Sequence, residues 1–309
     1  MNFQFTKYSA VYYIISGILI IASFAALITF GLKFGIEFTG GSNMELAFTG
    51  ERLSNEKIQE AAVEFNLGEI IIQPTSNNGA ILQFKGVDEA THQKILAKIS
   101  ETATSAGSSV EEKSFQYIGS SVGQELKNKT EIAIILCLLA ITVYIAFAFR
   151  KVSRPVNSWK YGMTSLIALC HDIIIPLGVF SVLGHLYNVE ITIPIITALL
   201  TILGFSVHDT IVIFDRIREN ILRKGMGDFQ ETVDWSLNQT LGRSISTVFT
   251  VLIVMFFLFF FGGETLKYFS LALIIGVTSG AYSSIFIASP LLVTWRKFDE
   301  KKFQKNRGK

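Results

Sequence analysis

The sequence predicts an α-helical polytopic membrane protein: six transmembrane helices, with a small α+β domain outside the membrane between the first two. Three observations predict this class. Half of the 309 residues are hydrophobic, 26 of them Phe, and only 17% are charged; such a chain is built for lipid rather than water. Apolar runs occur at 10–32, 131–149, 161–184, 192–214, 245–262 and 268–295, each close to or above the ~20 residues a helix needs to cross ~30 Å of hydrocarbon. Between 33 and 128 those blocks give way to short alternating segments separated by polar helical ones.

The first run follows only MNFQFTKYS and lacks a small-x-small cleavage signal, so an uncleaved anchor is expected over 1–32. After it, GIEFTGGS brings Gly40-Gly41 to a close turn between membrane helix and first strand. That pair reads either as a simple joint or as a hinge about which the external domain swings. NMELAF (43–48) alternates as a strand does. Ser54 is placed to cap a helix over 54–65 whose Ile58, Ala61, Ala62 and Phe65 share a face. EIIIQPT (69–75) and AILQFK (80–85) flank Asn77-Asn78-Gly79, residues suited to the positive φ of a tight hairpin. A helix from Asp88 to about Ala103 and a strand over 109–118 complete the order β-α-β-β-α-β, which is the ferredoxin-like arrangement. The domain, taken as 33–128, carries no nucleophile-base pair, metal-ligand spacing or phosphate loop. Binding or movement is expected of it rather than chemistry.

The remaining spans occupy 129–295, and a basic tail covers 296–309. Of the 27 basic residues, 17 fall at the N-terminus, in the 150–160 and 215–244 links and in the tail, while the two short links on the other side offer only Lys267. The positive-inside rule then places both termini in the cytoplasm and 33–128 on the far side. Cys137 and Cys170 lie within predicted spans as small apolar residues, so no disulfide is expected.

Against this apolar background a few polar residues stand out, because an Asp at the centre of a span costs roughly 2.5–3.5 kcal/mol on insertion scales. Asp209, in GFSVHDTIVIFDRIREN, lies in the cytoplasmic half of the fourth span, and Arg243, in LNQTLGRSISTVF, opens the fifth. Burial alone favours a protonated acid, and a guanidinium within reach favours the carboxylate, so movement of one against the other would bind and release a proton. A permanent structural ion pair is the plainer alternative. His208 adjoins Asp209 but diverges from it by ~100° on a helix. His171-Asp172 in the third span forms a second polar pair. It lacks the further His and Asp ligands a metal centre needs, so helix-helix hydrogen bonding or a secondary proton relay is the expected use of His171, Asp172 and His208. In the last span Gly276, Gly280, Ser284 and Ala288 recur every four residues, a stripe that admits a close neighbour as fixed packing or as a sliding seam.

Taken together, GIEFTGGS, HDIIIPLG, GFSVHDTIVIFDRIREN, LNQTLGRSISTVFT and GAYSSIFIASPL, in this order over nearly the whole chain, closely resemble the SecD/SecF family of protein-export membrane proteins, within the resistance-nodulation-division superfamily. Glu37, His208 and Gly242 depart from the Asp, Asn and small polar residue more usual there. The resemblance implies a bacterial inner membrane protein without cofactor or enzymatic activity, pairing with SecD and associating with the SecYEG channel. It implies that the proton-motive force drives assistance to a translocating unfolded polypeptide, with Asp209 and Arg243 in the positions of the family's membrane aspartate and arginine. No nucleic acid is expected as a partner; membrane lipid is. Half of a proton-driven exporter of lipid or small molecules is the alternative, disfavoured by the single compact external domain and six spans. An intramembrane enzyme finds no serine-histidine, paired-aspartate or zinc-ligand constellation to support it.

Overall fold

The computed structural model describes residues 3–68, 70–75, 78–150, 156–224 and 228–307. Six of its helices are long and apolar enough to cross a membrane. Contacts divide the chain into two compact units, Met1–Lys33 with Ile132–Lys309, and Phe34–Glu131.

The smaller unit is an α+β domain. A short helix α2 (Ile36–Thr39) leads into β1 (Gly41–Thr49), followed by α3 (Asn55–Val63), β2 (Ile71–Thr75), β3 (Gly79–Phe84), α4 (Glu89–Ser105) and β4 (Ser109–Ile118). The strands form one antiparallel sheet in the order β2-β3-β1-β4, the split arrangement expected of a ferredoxin-like unit. Alternation places Met44, Leu46, Phe48, Leu82 and Phe84 on one face, where they meet Ile58 and Ala62 of α3 and Ile95, Ile99 and Ala103 of α4 in a closed core. Both helices are capped: the Ser54 hydroxyl accepts from Lys57 N at 3.4 Å and the Asp88 carboxylate from Thr91 N at 3.0 Å. At the hairpin Asn78 takes φ +56° and its amide donates to Phe48 O at 3.1 Å. Asn77 lies outside the described residues, and so do Lys151, Arg154 and Lys309 of the basic links and tail.

The larger unit begins with a 3-10 turn, Phe5–Tyr8, and α1 (Ser9–Phe30). It continues, from Ile132 on, in α5 (Ser120–Ala148), then α6 (Ser158–Tyr187), α7 (Ile193–Lys224), α8 (Phe229–Phe261) and α9 (Gly263–Ser283). A π-helical turn, Ser284–Ala288, then leads into α10 (Ser289–Arg307). The expectation that Arg243 opens the fifth span is corrected here: α8 starts at Phe229, and Arg243 lies deep within it. Apolar content sees only 245–262, but the helix runs on as an amphipathic segment burying Phe229, Val233, Ser236, Leu237, Thr240 and Ser244 on one face. Likewise α7 outlasts its apolar run by ten residues, its charged end stapled along its own surface by Arg216–Glu219 at 2.6 Å and Arg223–Glu219 at 2.7 Å.

The small-residue stripe of the last span proves to be a ladder against α7. A Cβ on Gly276 would collide with Ile202, and one on Gly280 would stand 3.0 Å from Ser206 Cβ. The Ser284 hydroxyl meets that of Thr210 at 2.7 Å. Each pair advances four residues on both helices, which sets α7 and α9 parallel and in fixed register.

The core of the smaller unit gives a direct test of the sheet register. Leu82 is fully buried, so Leu82→Ala is expected to destabilise the domain by about 2–5 kcal/mol, read as a shifted urea midpoint for proteolysis within residues 34–131 of the full-length chain.

Candidate functional site in the membrane helices

Among the described residues two carboxylates are buried in the helix bundle, and their surroundings differ. Asp172, on α6, is fully buried. Its Oδ2 accepts from Ser206 of α7 at 2.6 Å and from Ser283 of α9 at 2.8 Å. Its Oδ1 accepts from Ser279 at 3.2 Å and faces Nδ1 of the neighbouring His171 at 2.9 Å. Three seryl donors from two neighbouring helices, with the His171 ring beside them, surround one acceptor group. His171 is 1% exposed, and its other ring nitrogen, Nε2, is buried without a hydrogen-bond partner among the described residues.

Asp209, on α7, is 8% exposed. Its Oδ1 accepts from Ser244 of α8 at 2.6 Å, while Oδ2 is buried with no partner among the described residues. Arg243, the residue before Ser244, is exposed, and among the described residues no ion pair within 4 Å joins it to Asp209. One residue on a helix is a turn of ~100°, so Ser244 faces α7 while Arg243 faces a cavity of about 420 Å³. Ala148, Phe149, Asp215, Gln239 and Thr240 are among its walls. His208 is exposed on α7, turned from the bundle that buries Asp209. The structure therefore brings Asp209 and α8 together, and gathers His171 with Asp172 into a separate cluster.

Below this site two further contacts hold α8. Asn220 of α7 donates to Ser236 Oγ at 2.8 Å and to Gln239 Oε1 at 3.0 Å. The N-terminal strand of chain is clasped by Asp234, which accepts from Thr6 N at 2.9 Å and Thr6 Oγ1 at 2.7 Å, and by Asn238, which exchanges hydrogen bonds with both backbone groups of Phe3. Sequence reasoning missed Ser244, Ser206, Ser279 and Ser283. Ser206, Ser244 and Ser283 sit inside the motifs already singled out and Ser279 directly precedes one, but a serine in a span is so common that nothing marked them.

In the smaller unit, Gly40 and Gly41 adopt φ +77° and +146°, a corner that only glycine takes without strain. It is also tightly packed: a Cβ on Gly40 would stand 2.5 Å from Ser120 Cα, and one on Gly123 would stand 2.9 Å from Gly40 N. Glu37, on the short helix before the corner, is partly buried, and that burial pushes its carboxyl above the usual range.

Against known proteins, residues 98–298 match the family model described as protein export membrane protein SecD/SecF, C-terminal. The chain belongs to the SecD/SecF family. Residues 25–50 match the SecD/SecF GG motif, which contains the glycine corner. The protein translocase subunit SecF of Thermobaculum terrenum is 42% identical over 93% of this chain and 92% of its own length. That of Rhodothermus marinus is 37% identical over 96% and 94%. The crystal structure of SecDF, a translocon-associated membrane protein from Thermus thermophilus, superposes with a TM-score of 0.79 at 29% identity, covering 96% of this chain and 39% of that one. SecDF in its super-membrane-facing form gives 0.70. The chain thus spans about two fifths of those SecDF chains. As a SecD/SecF family member it is an auxiliary subunit of Sec protein export and a multi-pass protein of the bacterial inner membrane.

The two acids are expected to respond differently to mutation. Asp172→Ala removes the acceptor shared by three seryl hydroxyls, of which Ser283 keeps Gly280 O and Ser279 keeps His171 within reach, and is expected to cost on the order of 3 kcal/mol. Ser244→Ala removes a single interhelical bond and is expected to cost about 0.6–1.7 kcal/mol. Thermal melting of the purified full-length protein distinguishes the two, and equal losses would contradict this division.

Proposed function

We propose that this chain acts with SecD to couple the proton gradient to movement of a polypeptide across the membrane, with Asp209 as the proton-carrying group. The observation that carries this reading is the half-satisfied state of its carboxyl: one oxygen bound to Ser244, the other buried and unpartnered, with Arg243 adjacent on the same helix. A group so placed can exchange partners. With the guanidinium in its cavity a lone charge among the helices is costly, and the acid keeps its proton. When Arg243 swings or turns through roughly one residue of helix rotation, it replaces Ser244, stabilises the carboxylate and lets the proton go. The cavity beside Arg243, with Asp215 and Glu219 in its walls, supplies a polar exit. Each proton crossing ~100 mV releases about 2.3 kcal/mol, enough to bias a two-state rearrangement.

In this proposal both termini lie in the cytoplasm and residues 33–128 in the periplasm, consistent with the basic ends of α7 and α10. The SecYEG channel and the emerging unfolded chain are the partners, and the glycine corner is the hinge at which the periplasmic domain swings. His208, exposed and turned from the bundle, has the weaker claim to a relay; His171 and Asp172 act through helix fixation. Membership of the SecD/SecF family favours protein export over the small-molecule exporter.

Asp209→Asn is expected to leave insertion and assembly with SecD intact while export loses its dependence on the proton gradient. Arg243→Lys, which keeps charge but loses the planar fork, is expected to reduce that dependence without abolishing it. Translocation into inverted vesicles with and without an uncoupler measures both; full gradient dependence in Asp209→Asn would refute the assignment.

A further inference from the structure

Six spans bring both ends of the chain to one side of the membrane, and there α1 and α10 run together. Tyr13 OH and Thr294 Oγ1 meet at 3.1 Å, and the 3-10 turn before α1 packs against α10. Beyond this contact each chain end presents an aromatic ring and lysine to the outside. Before α1, Lys7 and Tyr8 are both exposed, Tyr8 by 54%, with the ammonium 5.9 Å from the ring centre. On α10, Phe298 and Lys301 follow Thr294 down one face of the helix, with Lys302 beside them. All three are exposed, Phe298 by 67%.

The acids nearby are already engaged. Asp299 pairs with Lys160, which is buried beside the rings of Trp159 and Trp295 at 5.6 and 5.3 Å. Glu300 holds Arg296 at 2.8 Å, and the Asp234 carboxylate receives both donors of Thr6. Lys7, Lys301 and Lys302 have no ion pair among the described residues, so their charge is left for something outside the chain. Their depth is set by Trp159 and Trp295, which pack edge to face at 5.1 Å, since indoles collect at the boundary between hydrocarbon and headgroups. Lys301 lies about 9 Å of helix beyond Trp295, at the level of lipid phosphates. In the opposite direction Val11, Ile14 and Ile18 of α1, all exposed, continue from Lys7 at helical spacing into the hydrocarbon.

We propose that the paired ends of α1 and α10 bind anionic phospholipid, its phosphate held by Lys7, Lys301 and Lys302 and its acyl chains along the open apolar strip of α1. The order of chemistry on the surface, lysine, then ring, then aliphatic strip, is that of a phospholipid from headgroup to tail. A soluble polyanion such as nucleic acid matches the lysines alone and leaves Tyr8, Phe298 and the strip above them without a partner. The site lies apart from the proton-carrying group and does not depend on that assignment.

The test uses the full-length chain purified with SecD, in nanodiscs of mixed phosphatidylcholine and phosphatidylglycerol, which present the same lipids on both faces. The exposed ring is replaced by a photoreactive one, Phe298→benzoylphenylalanine, and the adducts are identified by mass spectrometry. Phosphatidylglycerol adducts are expected to exceed that lipid's share of the bilayer roughly five- to thirtyfold, the preference that one or two lysines at an anionic surface give. Combining Lys7→Gln, Lys301→Gln and Lys302→Gln is expected to return the adducts to the bulk lipid ratio, and raising the salt concentration to lower the enrichment in the unsubstituted chain. Adducts in the bulk ratio from the start, an enrichment that survives the three substitutions, or adducts to SecD in place of lipid overturn the proposal.

Discussion

A carboxylate among apolar helices must be surrounded by donors or give up its charge, and this constraint organises the membrane unit. Asp172 takes the first course. Ser206, Ser279 and Ser283 converge on it from α7 and α9, so three helices share one acceptor and their relative positions follow from its geometry. The hydroxyls exist to be spent there: each removes a polar group from lipid at the same time as it satisfies the acid. The parallel ladder of Gly276, Gly280 and Ser284 against Ile202, Ser206 and Thr210 lies over the same point, because Ser206 is both a rung of the ladder and a ligand of the carboxylate. Packing and hydrogen bonding therefore specify one register. In this structure the stripe serves as close packing against α7.

Much of this was legible in the sequence. Spans announce themselves because lipid leaves few choices of residue, and the β-α-β-β-α-β order emerged from alternation, Ser54, Asp88 and the Asn78-Gly79 turn, all local signals. Helix ends were less legible. The stretch from Phe229 to Arg243 is polar enough to look like a loop, and its helical character rests on a buried face, Val233, Leu237 and Thr240, that only tertiary packing reveals. For the same reason the helix that carries Arg243 begins well before the apolar run that marks its span. At the site, Asp209 and Asp172 were visible because acids are rare in spans, whereas their serine partners were not. A hydroxyl that bonds back to its own helix, as Thr247 does to Arg243 O, is indistinguishable in sequence from one that crosses to a neighbour.

The contrast between the acids bears on which part of the bundle moves. While α6, α7 and α9 are tied at Asp172, the side-chain hydrogen bond that joins α8 to α7 at the level of the buried acids is that from Ser244 to Asp209, and α8 otherwise packs along α7 and α9. Its cytoplasmic half is held more firmly, by Asn220 on one side and by the N-terminal segment through Asp234 and Asn238 on the other. The proposed exchange of Ser244 for Arg243 breaks that one bond and leaves the cytoplasmic contacts of α8 in place.

The same anchor ties α8 to the start of the chain. Asp234 and Asn238 grip Phe3 and Thr6, and Phe5 is buried against Phe286 within the π turn, so in the proposed cycle a turn of α8 pulls on the chain immediately before α1. The clasp thereby turns the effect of the proton at Asp209 into displacement at the start of the first span.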